Sequence, residues 1–345
     1  MFSFENDYSE GAHPEIMKEM LVTNEEQTTG YGLDPYCEQA VTCIKEKLGA
    51  KDADVHMLVG GTQTNLIAIA SFLRPYEGVI AADTAHIAVH ETGAIEATGH
   101  KVITVPTKDG KLTKELIQMV IESHHGEHMV APKMVYVSNT TEVGTHYTKK
   151  ELVELYTYCK ENHLYFYIDG ARLASALAVE GNTMLLCDYK DCCDAFYIGG
   201  TKNGALFGEA LVIFNEELKP GIRHMIKQRG GLLAKGRLLG IQFKVLFQDD
   251  LYLKIGEHQN DMAKQLRIGL ERLGYPFLYD SITNQLFPIF PNELIRELQE
   301  KFVISISEKV NEEYSCVRLV TSWATKEEAV ESFLLAVSDY KEKTN

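Results

Sequence analysis

An aspartate and a lysine in this chain each follow a run of residues that reads as a buried strand. Leu164-Tyr165-Phe166-Tyr167-Ile168 leads into Asp169-Gly170-Ala171-Arg172. Asp194-Ala195-Phe196-Tyr197-Ile198 leads into Gly199-Gly200-Thr201-Lys202-Asn203-Gly204. Short apolar runs without alternation indicate strands covered on both faces of a parallel sheet. The helical pattern from Arg172 to Glu180 supplies the crossover such a sheet needs. The C-terminal ends of the strands form the ligand crevice of an open α/β sheet, so a carboxylate and an amine meet there. That pair has a specific chemistry. Lys202 forms a Schiff base with pyridoxal phosphate, and Asp169 keeps the pyridinium nitrogen protonated, so that the ring accepts electrons from a substrate carbanion. A structural ion pair at a strand end is the plainer alternative.

Other residues fall at the same edge. The strand Val55–Val59 ends in Gly60-Gly61-Thr62-Gln63-Thr64-Asn65, and the run Leu66–Leu73 is helical. Strand, glycines, hydroxyl and helix start form a phosphate site of backbone amides; a plain turn capped by Thr62 has the same sequence. The loop is neither G-x-G-x-x-G nor a Walker loop, which disfavours a nucleotide. His86 follows the strand Val79–Ala82, either as a site residue or as a satisfied polar group. Arg318 is a cation inside the apolar strand Cys316–Thr321. It is either a carboxylate clamp or half of a buried ion pair. The basic segment Arg223–Arg237 either neutralises a phosphate or forms a solvated face. His124-His125-Gly126-Glu127-His128 lacks i, i+4 ligand spacing and reads as a loop rather than a metal site.

The whole composition bounds the partners. The chain has 345 residues, 45% hydrophobic and 24% charged, with a formal net charge of −15. That charge argues against nucleic acid and anionic membrane surfaces as partners. The first residues, Met1-Phe2-Ser3-Phe4-Glu5-Asn6-Asp7, do not form a signal peptide, and the apolar run Leu66–Leu73 is too short to span a bilayer. Seven cysteines without a C-x-x-C motif fit free thiols in a reducing cytoplasm.

The elements that must position these residues follow an α/β order. Helices are expected from Pro14 to Leu21, from Pro35 to Leu48 with Asp34 as cap, and from Lys149 to Asn162 with Thr148 as cap. A further helical pattern runs through Glu91–Thr98. Leu238 to Leu273 is helical with a break near Asp249-Asp250, where a domain boundary is expected. Residues 1–248 then form a large domain and residues 249–345 a smaller α/β domain. In the latter, strands are expected at Phe277–Tyr279, Gln285–Phe290, Val303–Ser307 and Cys316–Thr321, with a capping box at Thr325 and Glu328 opening the final helix.

Taken in order, Tyr31-Gly32-Leu33-Asp34-Pro35, Gly60-Gly61-Thr62 with Asn65, Ala85-His86, Asp169-Gly170-Ala171-Arg172, Lys202 and Val317-Arg318-Leu319-Val320-Thr321 resemble one family. It is the low-specificity L-threonine aldolases of the β-eliminating lyase superfamily, fold type I of the pyridoxal phosphate enzymes. The resemblance implies cleavage of L-3-hydroxy amino acids to glycine and an aldehyde. It implies that Lys202 carries the cofactor, Asp169 holds the pyridinium, His86 stacks on the ring and assists proton transfer, and Gly61 and Thr62 hold the phosphate. Arg172 would lie near the cofactor's phenolic oxygen or the substrate carboxylate, which Arg318 would bind. A homotetramer with shared sites is implied too, with Tyr31 and a cation such as Arg229 or Lys235 reaching a neighbouring chain.

Three stretches depart from the family pattern. The loop that usually carries a histidine reads Asn139-Thr140-Thr141-Glu142. The N-terminal arginine-serine-aspartate reads Glu5-Asn6-Asp7, so that Asn6 stands for the serine that touches the carboxylate. The glycine-rich phosphate loop reads Arg229-Gly230-Gly231-Leu232-Leu233-Ala234-Lys235. These departures keep open a second activity on the same cofactor, β-elimination to a keto acid and ammonia.

Overall fold

The runs 77–82, 195–199 and 209–213 bury every residue. Strands of that kind need cover on both faces and so belong inside a layered α/β unit. The computed structural model describes residues 1–344. Its strands in chain order are β1 (Phe2–Ser3), β2 (Asp54–Leu58), β3 (Glu77–Ala82), β4 (Val102–Val105), β5 (Ala131–Ser138), β6 (Tyr165–Asp169), β7 (Ala195–Gly199), β8 (Glu209–Ile213), β9 (Gln285–Leu286), β10 (Ile289–Pro291), β11 (Phe302–Val303), β12 (Ser305–Lys309) and β13 (Tyr314–Val320). The main sheet has the order β2-β8-β7-β6-β5-β3-β4. β8 runs antiparallel to both neighbours and the other pairs are parallel.

The helices are α1 (Pro14–Val22), α2 (Pro35–Leu48), α3 (Gly61–Phe72), α4 (His86–Val89), α5 (Lys114–Ser123), α6 (Lys149–Glu161), α7 (Leu173–Leu177), α8 (Ile222–Gln228), α9 (Arg237–Phe247), α10 (Leu251–Arg272), α11 (Asn292–Gln299) and α12 (Glu327–Thr344). Local chemistry sets several ends. Asp34 accepts the Cys37 amide at 2.9 Å and Pro35 occupies the first turn of α2. Thr148 and Glu151 close a capping box on α6. Asp249 and Asp250 both adopt left-handed backbone and separate α9 from α10.

A second, smaller sheet has the order β10-β13-β12, with β9 also on β13. Its apolar cluster includes Leu286, Phe290, Leu294, Val317 and Phe333. The helix α10 serves both cores: Tyr252 and Ile255 pack into the large cluster, and Met262, Leu266 and Leu270 into the small one. The change of core therefore falls inside α10, beyond the left-handed break at the expected 248/249 boundary. The N-terminus joins the smaller unit. β1 pairs with β11, and Phe4 is buried in the second core.

Several local expectations change. α3 begins at Gly61, because the extended backbone of Gly60 starts it without a side-chain cap. The Arg172–Glu180 pattern yields only Leu173–Leu177 as helix. Glu91–Thr98 gives a 3-10 turn at Glu96–Thr98 rather than a continued helix. Phe277–Tyr279 contributes one isolated bridge, Phe277 to Pro288. The Thr325 hydroxyl accepts the Ser322 amide at 2.8 Å instead of capping toward Glu328.

Candidate active site

β6 and β7 lie side by side and deliver Asp169 and Lys202 to the same edge. The turns after them touch backbone to backbone: the Gly199 amide donates to the Gly170 carbonyl at 2.9 Å, and a Cβ on Gly199 would stand 2.3 Å from the Ala171 oxygen. Only glycine allows that approach. The turn carrying Lys202 is pinned on several sides. Glu209 accepts the Gly200 amide at 2.9 Å and the Thr201 hydroxyl at 2.8 Å. Asn203 Nδ2 donates to the Gly199 and Ala171 carbonyls, and Gln259 Nε2 donates to the Lys202 carbonyl at 2.8 Å. The backbone is thus held while the Lys202 amine itself has no hydrogen bond among the described residues. Burial, reinforced by Arg172, lowers its pKa, which favours the neutral nucleophilic amine.

Asp169 is buried and anchored. Its Oδ2 accepts Tyr136 Oη at 2.5 Å and Asn65 Nδ2 at 3.1 Å, and its Oδ1 accepts the Ala171 amide at 2.9 Å. Asn65 also donates to Glu91 Oε1, which lies 2.8 Å from His86 Nδ1. That oxygen accepts from both, so the His86 ring carries its hydrogen on Nδ1 and leaves Nε2 bare when neutral. The His86 amide in turn donates to Glu142 Oε1, which also takes the Ser138 hydroxyl. Burial raises the Glu142 pKa. It also pushes that of Glu209 up to about 7.

Lys202, Asp169 and His86 line a cavity of about 600 Å³ together with Gly60, Gly61, Thr62, Arg172 and Arg318. Two guanidinium groups therefore share one space, and their neighbours differ. Arg172 is locked to Asp7, Nε to Oδ2 at 2.7 Å and Nη2 to Oδ1 at 3.2 Å. Arg318 has no carboxylate partner among the described residues; its Nη2 donates to the Glu5 carbonyl at 3.1 Å. Burial, with Arg172 adding, lowers its pKa. An arginine remains a cation after any such shift, so Arg318 is the positive charge left for an anion.

The cavity suits pyridoxal phosphate. At one end the first amides of α3 point out of the helix without a side-chain cap, as a phosphate requires. The same cavity is lined by the buried Asp169 carboxylate and by the lysine amine. Two lining residues, Thr140 and Gln285, each carry a buried polar atom with no partner, Oγ1 and Oε1. Orphaned polar atoms of this kind call for a ligand.

Four of the expected residues do not line this cavity. Asn6 Oδ1 accepts the Tyr8 amide and the Ser9 hydroxyl and so closes its own turn; Tyr8 lines the cavity instead, and Asp7 meets it through Arg172. Tyr31 is on the surface with left-handed backbone, under the Lys227 ammonium at 4.6 Å, and its carbonyl accepts from Arg223. The Arg229 and Lys235 side chains are exposed. Of the two, only the Arg229 carbonyl meets the start of α3, through Gln63 Nε2 at 3.1 Å. Asp7, Glu142, Glu209 and His90 were not singled out from the sequence as site residues. Glu209 had a signal of the same kind as Arg318, a charge entering an apolar strand.

The sequence profile of the beta-eliminating lyases matches residues 6–290. The chain belongs to that family. A low-specificity L-threonine aldolase of Pseudomonas aeruginosa is 30% identical over 334 residues, covering 95% of this chain and 94% of the relative. Among solved structures, a Leishmania major threonine aldolase superposes with a TM-score of 0.98 at 51% identity, covering 99% of this chain and all of that one. A histidinol-phosphate aminotransferase from Clostridium acetobutylicum shares the fold alone, with a TM-score of 0.75 at 14% identity. This lyase therefore has the fold type I architecture expected from its sequence.

Proposed function

We propose that this lyase cleaves the Cα–Cβ bond of L-threonine, L-allo-threonine and related L-3-hydroxy amino acids to glycine and an aldehyde, with pyridoxal phosphate as cofactor. The observation that carries the reading is the shared cavity of an unpaired Lys202 amine, a buried Asp169 carboxylate and an unpaired Arg318 guanidinium. The named activities of the Pseudomonas aeruginosa and Leishmania major relatives support it. When bound, the cofactor supplies an electron sink for the pair released from the breaking bond. The protein's residues do the rest. Lys202 provides the amine that holds the cofactor. Asp169, fixed by Tyr136 and Asn65, holds a proton at the pyridine nitrogen. Gly61 and Thr62 bind the phosphate, and His86 Nε2 is turned to the cavity by Glu91. Arg318 would bind the substrate carboxylate and so fix which bond at Cα is presented for cleavage. Arg172, neutralised by Asp7, shapes the site more than it charges it.

We further infer a homotetramer built from dimers. It would place Tyr31, Arg229 and Lys235 against the phosphate of a neighbouring copy, since they do not reach their own. A cytoplasmic location fits seven free thiols. We also propose the division of the chain into a large cofactor-binding domain, residues 1–248, and a small C-terminal α/β domain, residues 249–345.

Incubation of the cofactor-loaded protein with L-threonine, L-allo-threonine and L-serine, with glycine, acetaldehyde, pyruvate and ammonia assayed together, tests the reaction. Glycine with acetaldehyde is expected; keto acid with ammonia and no glycine would replace cleavage by elimination. Lys202→Ala should keep the fold and lose turnover, and full activity in that variant would sink the mechanism.

A further inference from the structure

The cavity holds a second imidazole that the reading above does not use. α4 is a single turn that begins at His86 and is closed by His90. Four residues apart, the two rings lie on one face. Their centroids are 5.5 Å apart with planes at 52°, and both line the cavity. Their commitments differ. His86 Nδ1 is held by Glu91. The His90 ring has no hydrogen-bond partner among the described residues.

Cleavage needs a base for the substrate's β-hydroxyl. The loop that carries a histidine in the resembling family has Thr141 and Glu142 instead. Thr141 Oγ1 is spent on Thr145. Glu142 Oε1 already accepts two donors, and burial favours its protonated form. Lys202, released when the substrate amine takes its place on the cofactor, would serve the proton at Cα. His90 is a basic side chain of the cavity whose ring no other described group holds.

We propose that His90 is the catalytic base that takes the β-hydroxyl proton as the Cα–Cβ bond breaks. The inference rests on the aldol-cleavage reading. A nitrogen of His90 gains the hydroxyl proton, and the oxygen's electron pair forms the carbonyl of the departing aldehyde. Bound pyridoxal phosphate would take up the Cα–Cβ electron pair. One proton then returns to Cα to give glycine, so a proton is taken and a proton given back. The surroundings suit a base. Burial first, then His86, Arg318, Lys202 and Arg172, lower the His90 pKa below the ordinary histidine value. The ring is therefore neutral at neutral pH, and an added proton is readily given up again.

His90→Phe keeps a flat ring and removes both nitrogens. Three quantities are measured in wild type and variant: L-threonine cleavage, deuterium exchange at glycine Cα by proton NMR, and the visible absorbance of the bound cofactor. Exchange at glycine needs the cofactor and a Cα–H base but no β-hydroxyl, so it isolates the step assigned to His90. The expected result is a fall in cleavage of about 100-fold or more, as for loss of a general base, with exchange and absorbance kept. The acid limb of the wild-type kcat/KM profile should disappear as well. Cleavage at the wild-type rate would overturn the proposal, and so would parallel loss of cleavage and exchange, which marks a wall of the site. A wild-type protein that exchanges glycine but does not cleave threonine would overturn the aldolase reading and this inference with it. Should His90→Phe fail to fold, His90→Asn carries the same comparison.

Discussion

Asp7 shows how much one residue can settle. Burial works against its carboxylate, but Arg172, Lys202 and the Asn284 hydrogen bond together hold the pKa below the usual range. A group depressed in this way contributes stability fully above its unfolded value, near 3.9, and loses it as pH falls through the lower folded value. Asp7→Asn would leave Arg172 as an uncompensated buried charge, at a cost of about 3–5 kcal/mol; urea unfolding of cofactor-free protein measures it. Glu209 has the opposite sign. Its pKa is raised to about 7 by burial, so stability should decline as pH climbs from the ordinary carboxylate range toward that value. Glu209→Gln should flatten the Tm profile over that window in cofactor-free protein. Lys202, Asp169, His86 and Arg318 were legible because each breaks a local pattern at a strand's end or middle. Asp7 was not, since nothing in Asn6-Asp7-Tyr8 reveals that its partner lies at Arg172. His90 was not, because a lone histidine after an apolar turn has no period to violate.

Among the elements, α10 supports the site without lining it, its Gln259 holding the Lys202 carbonyl. Gly256 lies against α7, and a Cβ there would meet the Ala174 oxygen at 2.2 Å. α7 follows directly on Asp169 and Arg172. Gly256→Ala should therefore push α7 and the residues before it. The expected outcome is a stability loss of about 1–3 kcal/mol together with a lower kcat, read by unfolding and by threonine cleavage. Loss of stability alone, with kcat kept, would show that the site tolerates the shift. Strands and long helices were readable because burial on both faces and amphipathic spacing leave period signals, as in β7 and α10. Short pieces were not. α7 was overestimated because apolar residues continue past Leu177 while the backbone does not, and β9 and β10 form one apolar run in sequence that Phe287 and Pro288 divide.

For the molecule as a whole, the question is whether a site is made by one chain. The exposed side chains of Arg229 and Lys235, and Tyr31 under Lys227, supply cations and an aromatic that the chain's own cavity does not take up. Mixing Lys202→Ala with Arg229→Ala subunits tests sharing. With random pairing, about a quarter of the sites regain both groups if the cation comes from the neighbour. If each site is self-contained, the mixture has only the activity of the Arg229→Ala subunits present. The large layered fold was legible because its continuous apolar runs, separated by helical patterns, mark strands covered on both faces. The assignment of Phe2–Phe4 to the distal core was not, because a two-residue strand has no pattern of its own.

That N-terminal strand also makes the site a seam between distant stretches of chain. β1 pairs with β11, the Val320 amide donates to the Phe4 carbonyl, and Glu5 and Asp7 then reach Arg318 and Arg172. One short segment thus ties the smaller sheet to the edge of the larger one. Were it to swing away, both guanidinium groups would lose their partners together, while Lys202 and Asp169, held by contacts of the main sheet and its turns, would keep their places.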